Sequence, residues 1–246
     1  MRLQRILPIL CILLLFSVAT AGCTVNLNPF NIRSDSSQAP SGINVGGTSN
    51  GTAHMLAVGQ ANESSNYAGS VSDVTVYTQL GAGHVFVETA PLTGVDFQET
   101  ARAAIKVAAE RAKANTSQRD FEFVLHVPKG VDAVDGPSAG LPMTIAAYSA
   151  LTKKPTNPYV YGTGAIENNG TVSSVSGVYL KALAASKSGA RVIVVPSENT
   201  LVSTSSPLSE NAIANVNLQA QLKKEGYNVT VVGVNKFDDA LPYYFS

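Results

Sequence analysis

Residues 134–140 read VDGPSAG and lead into an apolar run that extends to residue 151. Pro137 restricts its own φ, and the glycines on either side allow other backbone to approach, so the pattern predicts a tight turn that places Ser138 on the first turn of a helix. The first N–H groups of a helix lack partners and lie at the positive end of its dipole. Because such donors stabilise an oxyanion, Ser138 is a candidate nucleophile, with a helix-capping serine as the alternative.

The composition narrows the classes of protein to consider. Of 246 residues, 45% are hydrophobic and 14% are charged, which is enough for a substantial core. The 17 basic and 17 acidic residues cancel, which argues against a nucleic-acid-binding protein. The sequence contains no Gly-x-x-x-x-Gly-Lys-Ser/Thr motif for ATP. The only cysteines are Cys11 and Cys23, and three histidines are scattered, so we expect neither a metal site nor a cofactor.

The N-terminal segment, residues 1–23, has the features of an export signal. Arg2 and Arg5 precede an apolar run over residues 6–19, and small residues lead to Cys23. Residues 20–23, TAGC, resemble a lipoprotein processing box, which makes Cys23 a candidate for lipidation. A cleaved signal and an uncleaved anchor are the alternatives. We therefore expect an exported protein, either on the cell surface or otherwise extracytoplasmic, that is attached to the membrane through its N-terminus.

The next segment, residues 24–66, is rich in Ser, Gly and Asn, and we predict a flexible linker with at most one short strand at residues 54–58. The folded domain is predicted to span residues 67–246. Its expected helices are residues 96–114, capped by Asp96, the serine helix, and residues 177–188, 209–224 and 236–241. The expected strands are residues 71–79 and 84–89, joined across residues 81–83, and residues 121–127, 159–166, 191–195 and 229–234. Because strands alternate with helices in the second half, the fold class is α/β or α+β.

A serine nucleophile needs a base, and Lys181 is the candidate. His84 and His126 lie on separate predicted strands and do not allow a Ser-His-Asp triad to be assigned. Lys181 lies within VYLKALAA, among apolar or small neighbours on a predicted helix. To bring a lysine pKa from ~10.4 to near 7 requires on the order of 4 kcal/mol of desolvation, which only a dry pocket supplies. A surface lysine with its stem along the helix is the alternative.

Seven segments together resemble the proteolytic domain of the Lon proteases, a family of Ser-Lys peptidases. DGPSAG at residues 135–140 resembles the family's nucleophile motif, and Lys181 follows Ser138 by 43 positions, as the family's lysine does. The other segments occur in the family's order and are QETA (98–101), HVPKG (126–130), TGAI (163–166), GTV (170–172), KALAA (181–185) and VVPSEN (194–199). The resemblance covers residues 67–241. Ala165 departs from the family, which has a glutamate there.

The resemblance implies a Lon-type proteolytic domain, similar to domain 2 of ribosomal protein S5, with mixed sheets and packed helices. It implies Ser138 as nucleophile, Lys181 as general base, and Thr163 as a hydrogen-bonding partner of the lysine amine. Backbone N–H groups around Ser138 and Ala139, beyond the turn at Gly136, would form part of the oxyanion site. Asp135 either contacts the surroundings of the serine or caps the helix.

The expected activity is therefore that of an ATP-independent serine peptidase acting on peptides or unfolded proteins, since an ATPase part like that of full-length Lon is absent from these 246 residues. The family also implies a homo-oligomeric ring. Two alternatives remain open: a catalytically idle Lon-like module that binds peptides or subunits, and a dedicated processing hydrolase with one substrate.

Overall fold

The computed structural model describes residues 47–60, 67–205 and 213–246, and they belong to one compact unit that extends from Asn44 to Ser246. The export signal and Cys23 lie outside the described residues. Within these ranges, no helix has the length and apolar character needed to cross a membrane.

Thirteen strands and five α-helices are present in the described ranges. The strands are β1 Ser49–Gln60, β2 Tyr67–Leu80, β3 Val85–Val87, β4 Leu92–Thr93, β5 Arg119–His126, β6 Ala133–Val134, β7 Val160–Gly162, β8 Ala165–Ile166, β9 Val172–Ser173, β10 Val192–Pro196, β11 Leu201–Ser205, β12 Ile213–Asn217 and β13 Thr230–Val234. The helices are α1 Val95–Ala112, α2 Gly140–Thr152, α3 Val178–Lys187, α4 Leu218–Lys224 and α5 Phe237–Tyr244. Two 3₁₀ turns cover Pro137–Ala139 and Ser197–Thr200.

A mixed seven-stranded sheet in the order β13-β10-β7-β1-β2-β5-β3 is the centre of the fold. Strands β13, β10, β7 and β1 are parallel, β2 is antiparallel to both β1 and β5, and β3 is parallel to β5. Three two-stranded sheets accompany it: β4 with β6, β8 with β9, and β11 with β12. The predicted class, a mixed sheet with packed helices, is confirmed.

Helices cover both faces of the sheet. Helices α1, α2 and α5 pack on one face around a core that includes Phe97, Phe123 and Leu141. Helices α3 and α4 form the second layer, whose core includes Leu56, Ile193 and Leu222. Helix α2 is buried on nearly all sides, which explains why its sequence lacks an amphipathic pattern.

The expected linker, residues 24–66, contains β1, which lies at the centre of the main sheet. The predicted domain start at residue 67 is therefore wrong. A Cβ atom at Gly51 would overlap the carbonyl oxygen of Ala146, because the backbone of α2 lies directly against this strand. Packing against α2 therefore requires small residues in this part of β1. Flexible linkers are also rich in small residues, which is why the sequence of β1 resembles a linker.

Other boundaries also differ from the sequence predictions. Strand β5 lies between β2 and β3, so the two strands joined across residues 81–83 are not neighbours. The strand expected at residues 159–166 is divided into β7 and β8. Within the predicted helix 209–224, residues 213–217 form β12 and the helix begins at Leu218, whereas residues 209–212 lie outside the described residues. Asp96 does not cap α1, whose N-cap residue is Gly94.

Candidate active site

The serine of the VDGPSAG turn lies immediately before α2 rather than inside it. Ser138 is the middle residue of the 3₁₀ turn Pro137–Ala139, and α2 begins at Gly140. Gly136 has φ of 98°, a conformation that favours glycine, and it directs the chain into this turn. A Cβ at Gly140 would lie 2.6 Å from the backbone nitrogen of Ile166, so only glycine lets α2 approach β8 this closely. Ser138 remains half-buried at the surface of the domain.

The backbone that follows β7 holds the serine turn. The carbonyl oxygen of Ser138 accepts hydrogen bonds from the hydroxyl of Thr163 (3.1 Å) and from the backbone N–H of Gly164 (2.9 Å). The N–H of Leu141 donates in return to the carbonyl oxygen of Gly164 (2.9 Å). Three hydrogen bonds therefore join the start of α2 to residues 163–164. The quoted TGAI segment contained Gly164, but the sequence alone gave no indication that its N–H contacts the serine.

Thr163 occupies a different role in this structure from the one that the family resemblance implied. Its side chain is fully buried, and its hydroxyl donates to the carbonyl oxygen of Ser138. Within the described residues, no hydrogen bond joins Thr163 to Lys181. The threonine thus positions the backbone of the serine turn directly.

Lys181 lies in the second turn of α3, and its side chain is buried. Only 3% of the residue is exposed, and among the described residues its side-chain nitrogen has no ion pair and no hydrogen-bond partner, Ser138 included. Burial lowers the pKa of Lys181 to about 8, since a charged ammonium is disfavoured away from water. The expected desolvation of this lysine is therefore present, although the pKa stays above 7.

The topology brings the serine turn and α3 to the same end of the main sheet. Strands β1 and β7 run parallel, Gly162 at the end of β7 lies beside Met55 of β1, and residues 163–164 directly follow β7. The serine turn contacts β1, and Gly177, which precedes α3, packs against Val58 near the end of β1. Ser138 and Lys181 thus belong to elements that both contact β1, from opposite faces of the sheet.

Asp135 caps a helix, but not the helix that follows it in sequence. Its Oδ1 accepts a hydrogen bond from the backbone N–H of Phe97 (3.1 Å), in the first turn of α1. The carboxylate lies directly against Gly94, where a Cβ would overlap it. The expected cap on the serine helix is therefore wrong, because the carboxylate bonds to the start of α1 instead.

Two of the three histidines are engaged away from Ser138. His54 on β1 bonds through Nδ1 to Asp73 on β2 (2.5 Å) and through Nε2 to the carbonyl oxygen of Pro158 (3.0 Å), and its ring stacks on Tyr161. The hydrogen bond to Asp73 raises the pKa of His54. His84 pairs with Asp120 at a loop (3.3 Å). In the described part of the chain, no histidine contacts Ser138, and no three His, Cys, Asp or Glu side chains are grouped as metal ligands.

Comparisons with known proteins identify a family and relatives that are similar in sequence to this chain. The sequence-family model for the Lon protease (S16) C-terminal proteolytic domain matches residues 52–218 of this chain. Lon protease of Buchnera aphidicola is 33% identical over 138 residues, which cover 50% of this chain and 18% of the relative. Lon protease of Roseiflexus castenholzii is 36% identical over 138 residues (50% and 17%), and that of Escherichia coli is 32% identical over 152 residues (56% and 19%). The chain thus spans less than a fifth of the length of these relatives.

Proposed function

The chain belongs to the family of Lon protease (S16) C-terminal proteolytic domains, and from this premise we propose that it is a serine endopeptidase with a Ser138–Lys181 dyad. Its substrates are peptides or already unfolded proteins. Thr163 and Gly164 hold the serine turn, and the backbone N–H groups near Ser138 and Ala139 form part of the oxyanion site.

The burial of Lys181 is the observation that carries this proposal. Lys181 is 3% exposed and pairs with no carboxylate among the described residues, so its charged form is destabilising for the fold and its neutral form is favoured. Burial lowers its pKa to about 8, which leaves a fraction of the amine neutral at physiological pH. A neutral amine is the form that accepts a proton from a serine hydroxyl.

In the first half of the reaction, the neutral amine of Lys181 accepts the hydroxyl proton of Ser138 while Oγ bonds to the carbonyl carbon of the substrate. The negative charge moves to the carbonyl oxygen, where the backbone N–H groups near Ser138 and Ala139 stabilise it. The resulting ammonium gives its proton to the amine of the leaving peptide as the carbon–nitrogen bond breaks. An ester on Ser138 and a neutral Lys181 remain.

In the second half, Lys181 accepts a proton from water, and the hydroxide oxygen attacks the ester carbon. The proton returns to Oγ of Ser138 as the acyl group leaves. Ser138 and Lys181 share no hydrogen bond in the described residues, and we propose that substrate binding brings Oγ and Nζ together, as is common for catalytic pairs in free enzymes.

We also propose that these 246 residues cleave their substrate without ATP, because they contain no P-loop motif. The proposal also includes export and attachment to the membrane through the N-terminal segment, with lipidated Cys23 as the favoured form. A homo-oligomeric ring is proposed on family resemblance alone.

The test is cleavage of a fluorescent unfolded protein by the full chain without ATP. Ser138→Ala and Lys181→Ala should each reduce cleavage to background. Ser117→Ala, in an exposed loop, and Lys187→Ala, an exposed lysine on the same helix, are the matched controls and should cleave normally. The rate of the parent protein should rise with pH through about 8, as Lys181 loses its proton.

Other results would favour the alternative functions. A chain that leaves unfolded protein intact but is labelled at Ser138 by a serine-directed probe would be a dedicated processing hydrolase. A chain that binds peptides but shows neither cleavage nor labelling would be an idle module. Undiminished cleavage by Ser138→Ala would contradict the dyad.

The membrane proposal is tested by mass spectrometry of the N-terminus after fractionation of the cells. A chain that begins at diacylated Cys23, and loses the lipid on Cys23→Ala, is the expected result. An unmodified N-terminus beyond residue 23, or an intact Met1, would instead indicate a cleaved signal or an uncleaved anchor.

A further inference from the structure

The side chain of Asn199 forms two hydrogen bonds with the backbone of one residue in the loop that precedes α3. Its Oδ1 accepts a hydrogen bond from the N–H of Val175 (2.9 Å), and its Nδ2 donates to the carbonyl oxygen of Val175 (3.2 Å). One amide group therefore satisfies both backbone polar groups of a residue 24 positions away. This asparagine ends the VVPSEN segment, to which the proposed reaction assigns no role.

The clamped loop has few other means of fixing where α3 begins. Only residues 174–177 connect β9 to α3, and the N-cap residue Gly177 supplies no side-chain hydrogen bond to the helix. Gly177 has φ of 69° and packs against Val58. Val175 lies just before this turn, so a clamp on its backbone sets both the position and the direction in which α3 starts.

Lys181 depends on that position. The carbonyl oxygen of Leu180 lies so close to Gly69 on β2 that a Cβ there would overlap it, so the helix backbone rests directly on the sheet. Lys181 follows Leu180 and is buried because α3 lies this deep. A displacement of the first turn of α3 would admit water to the amine, and water favours the ammonium form.

We propose that Asn199 is a positioning residue of the reaction: it clamps the backbone of Val175, fixes the start of α3, and so keeps the amine of Lys181 buried. This inference rests on the proposed function of the Ser138–Lys181 dyad. Asn199 acts through Lys181 and does not touch the substrate.

The experiment compares the pH dependence of kcat/KM for the full chain with that of Asn199→Ala. The variant should lose about tenfold in kcat/KM at pH 7 for each unit by which the pKa of Lys181 rises, and it should regain activity toward pH 10. Asn199→Asp keeps the acceptor for the N–H of Val175 but loses the donor, so it should give a smaller alkaline shift. Asn115→Ala is the matched control, because Asn115 also accepts a hydrogen bond from a backbone N–H in a loop, but beyond the distant end of α1.

A second measurement reads Lys181 without relying on cleavage. In protein labelled with ¹³C at lysine Cε, the Lys181 resonance, assigned by its absence in Lys181→Met, should titrate at higher pH in Asn199→Ala than in the parent. An equal fall in kcat/KM at every pH, with an unchanged Lys181 titration, would overturn the positioning role. If the parent cleaves nothing while the titration still shifts, the proposed function fails and the clamp stands.

Discussion

The turn that carries Ser138 and the helix that carries Lys181 are held in place by different forces. Hydrogen bonds with residues 163–164 hold the serine turn, and the one from the Thr163 hydroxyl can be removed while the backbone bonds remain. Helix α3 is held mainly by close packing, since its backbone rests on Gly69 and its N-cap residue, Gly177, packs against Val58. The loss of one hydrogen bond should therefore destabilise the serine turn only modestly. An added side-chain atom between α3 and the sheet should instead displace the helix.

Substitution of Gly69 should have the largest effect. In Gly69→Ala, the new Cβ would overlap the carbonyl oxygen of Leu180, which is backbone and cannot rotate away, so α3 must move. We expect a loss of at least about 3 kcal/mol in the free energy of unfolding, and a fall of cleavage to near background. Urea denaturation and the peptidase assay measure the two effects.

Gly59→Ala is the control for this prediction. Gly59 lies on β1 beside the same end of β2, yet a Cβ there would meet no atom within 4 Å. The control should be as stable and active as the parent. Equal behaviour of the two variants would mean that α3 is not held by its contact with β2.

Lys181→Met should separate stability from activity. The pKa of Lys181 is lowered from 10.5 to about 8, so the folded state binds fewer protons than the unfolded state between these values, and its stability rises with pH there. Below about pH 8 the folded state carries the full cost of burying the charged amine, on the order of 3 kcal/mol. The variant should therefore be inactive but more stable at pH 7, with a gain that disappears toward pH 10.5.

Thermal unfolding at several pH values checks this prediction, with exposed Lys187 as the control. Lys187→Met should change neither the stability at pH 7 nor its dependence on pH. A loss of stability in Lys181→Met at pH 7 would indicate that the amine is paired in solution.

Thr163→Val tests whether the hydroxyl of this threonine supports the serine turn or bonds to the amine of Lys181. In the structure its hydroxyl donates to the carbonyl oxygen of Ser138, which keeps a second donor, Gly164. Removal should destabilise the fold by about 1.5 kcal/mol and lower kcat about tenfold, with the pH profile unmoved.

A shift of the pH profile in Thr163→Val would instead support the role implied by the family, in which the threonine bonds the lysine amine. Thr152→Val is the control, because that hydroxyl also donates to a backbone carbonyl oxygen, at the far end of α2. Its kcat should equal that of the parent.

The serine turn could be predicted from the sequence because its determinants are local. Pro137 and the neighbouring glycines restrict the backbone there, and the resemblance to the Lon family, which is confirmed by the match to residues 52–218, identified the motif. The sequence predicts a linker with at most one short strand where β1 lies. The close approach of α2 requires small residues in β1, and small residues are also typical of linkers. The contacts of Thr163 and Asn199 join distant segments and leave no periodic signal in the chain.

Asp135 should give the smallest of these effects, although it lies three residues before Ser138. Its carboxylate accepts from the N–H of Phe97, so Asp135→Ala leaves one N–H of α1 unpaired and should destabilise the fold by about 1 kcal/mol. Asp135→Asn keeps an acceptor oxygen and should restore most of that stability. If Asp135 acts only as a cap, both variants keep the pH profile of the parent, and kcat changes less than twofold. A displaced pH midpoint in Asp135→Asn, at unchanged stability, would mean that its charge acts on Lys181 or Ser138, and the aspartate would then belong to the site.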